Sequence, residues 1–141
     1  MKSLVKSQAV FYCAVVLLLL SSQCKAEPLS SHLKRLTSIL ASRNMDSLRI
    51  LIDSNRILVE IPPKEGAYLS PAQALGVLES FFNVHPIANF SYILVREDGD
   101  AGIAIGTLAT VEAGRKNSYR VNFGFQKNRA GKWLLNRITI H

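Results

Sequence analysis

The stretch SPAQALGVLESFFNVHP, residues 70–86, decides the fold, because it closes the helical half of the chain and hands over to strands. Ser70 at the N-cap, Pro71 at the first helical position and Gln73 three residues after the serine form a capping box, so a helix must begin there. Leu75, Leu78, Phe81 and Phe82 supply its buried face. His85-Pro86 ends it, since the residue before a proline is pushed out of the helical region. From Asn89 onward the apolar period changes to two: Tyr119, Val121, Phe123 and Phe125 alternate with Arg120, Asn122, Gly124 and Gln126, which makes one face core and the other wetter. Turn residues at Asp98-Gly99-Asp100, Ala113-Gly114 and Asn128 to Gly131 divide this half into four strands.

Upstream of Ser70, Leu29, Leu33, Leu36 and Leu40 recur at spacings of four, three and four, which places one apolar stripe on a helix started by Ser30 or Ser31. Asn44 caps a second, shorter helix whose Met45, Leu48 and Leu51 face inward. Asp53-Ser54-Asn55 reads as a turn and Arg56 to Ile61 as a strand stopped by Pro62-Pro63. The order is helix, helix, strand, helix, then a four-stranded meander. That is an α+β architecture with helices packed on one face of a curved antiparallel sheet.

The first 26 residues carry an address. Lys2 and Lys6 precede an apolar run from Ala9 to Leu20, and Cys24-Lys25-Ala26 is a small-x-small cleavage signal, so residues 1–26 read as a secretory signal peptide and 27–141 as a single exported domain. The run is shorter than the roughly 20 apolar residues that a membrane span needs, and no transmembrane segment is expected in the mature chain. The alternative is a lipoprotein anchored through Cys24, against which Gln23 stands where Gly, Ala or Ser is usual. Of the 17 Lys and Arg, the leader removes Lys2, Lys6 and Lys25, leaving 14 cations against 10 carboxylates, a net charge of +4. Such a balance does not indicate nucleic acid. Both cysteines, Cys13 and Cys24, leave with the leader, which excludes a disulfide framework and a thiolate metal site from the exported domain.

The segment Lys64-Glu65-Gly66-Ala67-Tyr68-Leu69-Ser70, continuing through Gln73-Ala74 to Phe81-Phe82 and Pro86, resembles the KEGxY…S…QA…FF…P pattern of a family of exported bacterial proteins known as domain of unknown function 4783. Ile105-Gly106-Thr107-Leu108 and Lys132-Trp133-Leu134-Leu135 to Ile138 fit as well, so the resemblance spans essentially the whole mature chain, with Pro71 as a small departure. It implies a nuclear transport factor 2-like (cystatin-like) cone: a half-barrel with a pocket between sheet and helices, often dimeric through the outer sheet face. It implies no activity, because that fold hosts isomerases, dehydratases, ligand binders and adaptors alike.

Two registers set the expected sites. A three-residue loop at Asp98 to Asp100 and a five-residue loop at Ala113 to Asn117 align Ser91, Thr107, Phe123 and Asn136 in one core-facing row, a polar patch for a ligand cone with Tyr68 or His85 near its rim. A four-residue loop at Asn128 to Gly131 pairs Lys127 with Lys132, Gly124 with Leu135 and Gln126 with Trp133. That puts Trp133 and Leu135 on the wetter face beside Gly124, as the contact surface of a homodimer.

Candidate chemistry is sparse. Glu79 and His85 are the carboxylate and imidazole near the apolar helix, and an isomerase or dehydratase would have to use one of them. His32, His85 and His141 show no paired ligand spacing, so neither a metal nor a cofactor is expected. The expected function is an exported, periplasmic, non-catalytic domain binding a small molecule or short peptide. The alternatives are the acid–base enzyme and a structural subunit of an envelope complex.

Overall fold

A computed structural model describes residues 26–141, so the expected leader as far as Lys25, with Cys24, lies outside the described residues. Two helices open the fold, α1 over Leu29–Ser42 and α2 over Met45–Leu51. Neither Ser30 nor Ser31 caps α1. Pro28 occupies the N-cap and has no side-chain acceptor to cap with, and the first helical N–H, that of Leu29, donates instead to Glu97 Oε1 at 2.8 Å. A carboxylate 68 residues away thus satisfies a donor that the helix leaves free and sits well against its dipole. At α2 the expected cap holds, with Asn44 Oδ1 accepting from the Ser47 N–H.

The chain then forms a hairpin of β1 (Ile57–Glu60) and β2 (Ala67–Leu69), α3 (Pro71–Val84), and the meander of β3 (Ile87–Asp98), β4 (Ala101–Glu112), β5 (Arg115–Lys127) and β6 (Trp133–Ile140). Both bonds of the capping box at α3 are made: Ser70 Oγ accepts from the Gln73 N–H at 3.3 Å, and Gln73 Oε1 from the Ser70 N–H at 3.0 Å. The sheet order is β2-β1-β6-β5-β4-β3. β1 returns to lie parallel to β6, while the other neighbours run antiparallel. The helices cover one face. Leu33, Leu36, Leu48 and Leu78 from the helices meet Leu108, Val121, Phe123 and Phe125 from the sheet in one core.

Turn lengths differ from expectation and decide which side chains meet. The β3–β4 turn is only Gly99-Asp100, with Asp98 opposite Ala101, and a bulge between Tyr92 and Leu94 returns the register, so Ser91 does lie opposite Thr107. The β4–β5 turn closes on Ala113 and Gly114 alone, at φ 47° and 77°, the positive pair that a two-residue hairpin turn requires. Thr107 therefore faces Arg120, and Phe123 faces Ala104. The shift is odd, so Ser91 and Thr107 go to the outer face while Phe123 stays in the core.

At the last hairpin the loop takes in Lys132. Asn128 Oδ1 accepts from the N–H groups of Ala130 and Lys132, and Lys127 pairs with Trp133. One residue of slip turns Trp133 and Leu135 from the wetter face into the core, where both are fully buried. The expected dimer contact through Trp133 and Leu135 is thereby corrected. Asn136 becomes the extra residue of a bulge between the Phe125–Leu135 and Gly124–Arg137 pairs.

His32 of α1 is fully buried edge-on to Phe125, with ring centroids 5.4 Å apart and no hydrogen-bond partner at either ring nitrogen. Burial lowers its pKa below the usual 6.5, against the opposing pull of Glu27 and with help from Arg35 and Lys132. The unfolded chain therefore takes up a proton near pH 6.5 that the fold resists, so stability is full above that pH and falls as pH drops toward the lowered folded value. His32→Phe should remove this slope and, by eliminating unpaired buried polar atoms, stabilise the protein by about 1–3 kcal/mol at pH 5. Urea melts of both proteins at pH 5 and 8 measure it.

Candidate functional site

The interior of the cone is closed by its own side chains. Between Leu36, Leu78, Phe82, Phe90, Leu108 and Phe123 there remains about 10 Å³, with an entirely apolar lining. A water needs about that much room and two to four polar partners as well, so this space takes neither water nor ligand. The expected polar row is not formed. Phe123 is a wall of the filled core, Ser91 and Thr107 look outward, and Asn136 sits on the β6 bulge on the outer face.

A wide opening lies beside the cone, between the β1–β2 hairpin and α3, as a cleft of about 630 Å³. Val59, Ile61 and Leu69 form one wall and Val77 and Phe81 the other, with Lys64, Glu65, Gln73 and Ser80 among the polar lining. Pro62-Pro63 ends β1 and directs the connecting loop over the cleft, which brings Lys64 and Glu65 to it. Gln73 commits its side-chain oxygen to the helix cap, which leaves its amide N–H groups free to donate. Ser80 Oγ donates to the Gly76 carbonyl at 2.9 Å. Gly76 also lines the cleft, and a Cβ built on it would meet nothing within 4 Å.

Where α3 ends, Phe81 packs on the His85 ring with centroids 4.4 Å apart. His85 Nδ1 is joined to Glu112 Oε1, which also accepts from Thr110 Oγ1 and the Tyr119 hydroxyl, each at 3.1 Å. The His85 bond, with weaker help from Asn117, Thr110 and Tyr119 and against some desolvation, lowers the Glu112 carboxyl to about 2. Tyr119 moves the other way, raised by burial and by the adjacent carboxylate. The cluster ties the C-terminus of α3 to the β4–β5 hairpin. Because the folded pKa of Glu112 is depressed, its contribution to stability is present above about pH 4.5 and is lost as pH falls toward 2. Glu112→Gln should therefore lower the melting temperature at pH 7, and the gap to wild type should shrink between pH 4.5 and 2 when followed by circular dichroism.

Glu79 is exposed on α3 and lines neither the cone nor the cleft. Tyr68 is 66% exposed and faces outward, away from the cone rim. Gly124 lies on the outer face beside Asn136. Among the described residues, no three His, Cys, Asp or Glu side chains converge as metal ligands, and no helix is long and apolar enough to cross a membrane. No local pattern in the sequence marks the cleft, although the motif segment from Lys64 through Gln73 to Phe81 supplies much of its lining.

A filled α+β cone with helices on one face of a curved sheet is a nuclear transport factor 2-like fold. Residues 33–141 match the family "Domain of unknown function (DUF4783)", and the chain belongs to it. A solved DUF4783 family protein from Bacteroides fragilis YCH46 is 23% identical, with a TM-score of 0.65 over 75% of this chain and 93% of that one. Another from Bacteroides uniformis ATCC 8492 is 21% identical, with a TM-score of 0.66 over 76% and 93%. A ketosteroid isomerase-like protein from Erwinia carotovora atroseptica SCRI1043 shares the fold at 12% identity, with a TM-score of 0.65 over 79% and 90%. No functionally curated protein matches the chain.

Proposed function

We propose that this is an exported, periplasmic, non-catalytic binding domain that takes a small, largely apolar ligand in the cleft between the β1–β2 hairpin and α3. The observation that carries the reading is the contrast between a cone with about 10 Å³ left and a cleft of about 630 Å³ beside it. The cleft falls within the range of roughly 300–1,000 Å³ usual for small-molecule sites, and its apolar walls with a few polar groups have the usual composition. Gly76 supports it independently. A glycine inside a helix costs about 0.5–1 kcal/mol relative to alanine, yet nothing in the protein fills the space that its side chain would take. That space lies open to the cleft and lets an occupant approach the helix backbone. Acid–base catalysis has less support, since Glu79 lines neither space and His85 Nδ1 is engaged by Glu112.

Gly76→Ala should raise stability to unfolding by about 0.5–1 kcal/mol, read as an increased urea midpoint. Native mass spectrometry of the protein purified from its source tests the occupant: wild type should carry a releasable small molecule, and Gly76→Leu should not. A wild type free of any bound species, or a Gly76→Leu variant that keeps it, overturns the reading. The export part rests on residues 1–26. Intact mass should show a chain beginning at Glu27, and an acylated chain beginning at Cys24 would replace soluble export with membrane anchorage.

A further inference from the structure

We propose that the outer face of the sheet carries a second binding surface, independent of the cleft, which takes an extended acidic segment of a partner protein. A groove of about 370 Å³ crosses β2, β1, β6, β5 and β4 on the side away from the helices. Four inter-strand spacings span about 19 Å, the length of about six residues of extended chain. The register places its principal groups on one face, because Tyr68 lies opposite Leu58 and Leu58 opposite Arg137. Asn136 and Arg137 are drawn down onto β5 where Gly124 has no side chain. A Cβ at Gly124 would meet Asn136 Oδ1 at 2.9 Å and Arg137 Cβ at 3.0 Å.

Charge selects the occupant. Arg56 and Arg137 both line the groove, and neither is in an ion pair; the pairs among the described residues are Arg35–Glu27 and His85–Glu112. Asp53 also lines it, with Oδ1 accepting from the Asn55 N–H, so the groove keeps a net positive charge. The Arg56 guanidinium stands 5.9 Å from the centroid of the exposed Tyr68 ring, which restricts it to the groove side. Arg137 lies opposite Leu58, and Arg56 stands two residues before Leu58 at the entry to β1, so both arginines reach the same stretch of the groove. Side chains two residues apart on an extended segment share a face at about 6.6–6.8 Å, so such a segment presents two carboxylates on one side to the two guanidinium groups. Arg96 and Arg120 share this face, opposite Ile103 and Thr107. A second copy of the chain would bring like charges together here, whereas an acidic segment would neutralise them.

Fluorescence anisotropy of the purified protein with a labelled hexapeptide alternating valine and glutamate tests the proposal, with glutamine replacing glutamate in the control. The acidic peptide should bind at least about tenfold more tightly than the control, and more weakly as salt rises. Arg56→Gln and Arg137→Gln should each weaken it about tenfold. Arg137→Lys, which keeps charge but loses the planar fork, should weaken it only about threefold. Both arginines are exposed, so the variants should melt with wild type. Equal binding of the two peptides, or full binding by the double variant, overturns the proposal. Self-association in sedimentation velocity that the two substitutions abolish would also overturn it, and would assign the face to a second copy.

Discussion

Trp133→Ala should cost about 3–5 kcal/mol of stability, the loss expected when a large aromatic is removed from a packed core. Trp133 has no exposed surface, and its six-membered ring lies 3.4 Å from where a Cβ of Gly102 would stand, with Leu29 pressed into the same corner. Lys127 Nζ covers the ring at 4.6 Å from its centroid. Neither α1 nor the sheet can close the gap, because Gly102 brings no side chain to fill it and Leu29 is anchored through its N–H to Glu97. Urea unfolding with fluorescence-independent detection, such as circular dichroism, measures the loss. A variant as stable as wild type but altered in oligomeric state would return Trp133 to the outer face.

Gly106→Ala should destabilise by about 1–3 kcal/mol, through overpacking. A Cβ there would stand 2.7 Å from the Ser91 carbonyl oxygen and 2.6 Å from Phe90 Cζ. The carbonyl belongs to the neighbouring strand and cannot rotate away. Phe90 is held edge-on to Tyr92 at 4.8 Å and to Phe123 at 5.8 Å, so its ring has little freedom to yield. The same substitution at Gly76 should have the opposite sign, since open space replaces the collision. Measured together by denaturant midpoint, the pair separates a glycine needed for strand approach from one that packing does not require. Equal effects at the two positions would contradict the side-chain placement in both α3 and the β3–β4 pair.

Outward-facing apolar residues add to the outer face described above. Leu94 and Ile103 are each 44% exposed, and Val111 is 39% exposed, all on the side away from the helices. Beside them, Tyr68 and the four arginines are of the residue types enriched at binding hot spots. On the helix side the leucine stripe of α1 is consumed by the core, and the cleft opens between α3 and the β1–β2 hairpin.

Local chemistry made the elements legible in the chain itself. The capping box at Ser70 and Gln73, the leucine stripe of α1, the Asn44 cap and the two-residue period of β5 act within a few residues, where the competing conformations are also local. The α+β class follows from them, as does the helix–strand order apart from the short β2, which the expected order of helix, helix, strand, helix and meander lacks, and the family match bears out the resemblance. Register was decided by the tertiary structure. Ala113 accepts a positive φ that its own preference opposes, because the strands on either side gain a full ladder by closing on a two-residue turn, and this moved Thr107 and Phe123 to opposite faces. Asn128 turned the last loop back on itself and drew in Lys132, which carried Trp133 into the core. The candidate sites depend on the same long-range choices. Whether the cone is full is a sum over side chains from all three helices and the sheet, and the cleft exists only where β1 and β2 stand off from α3, so neither space belongs to any single stretch of the sequence.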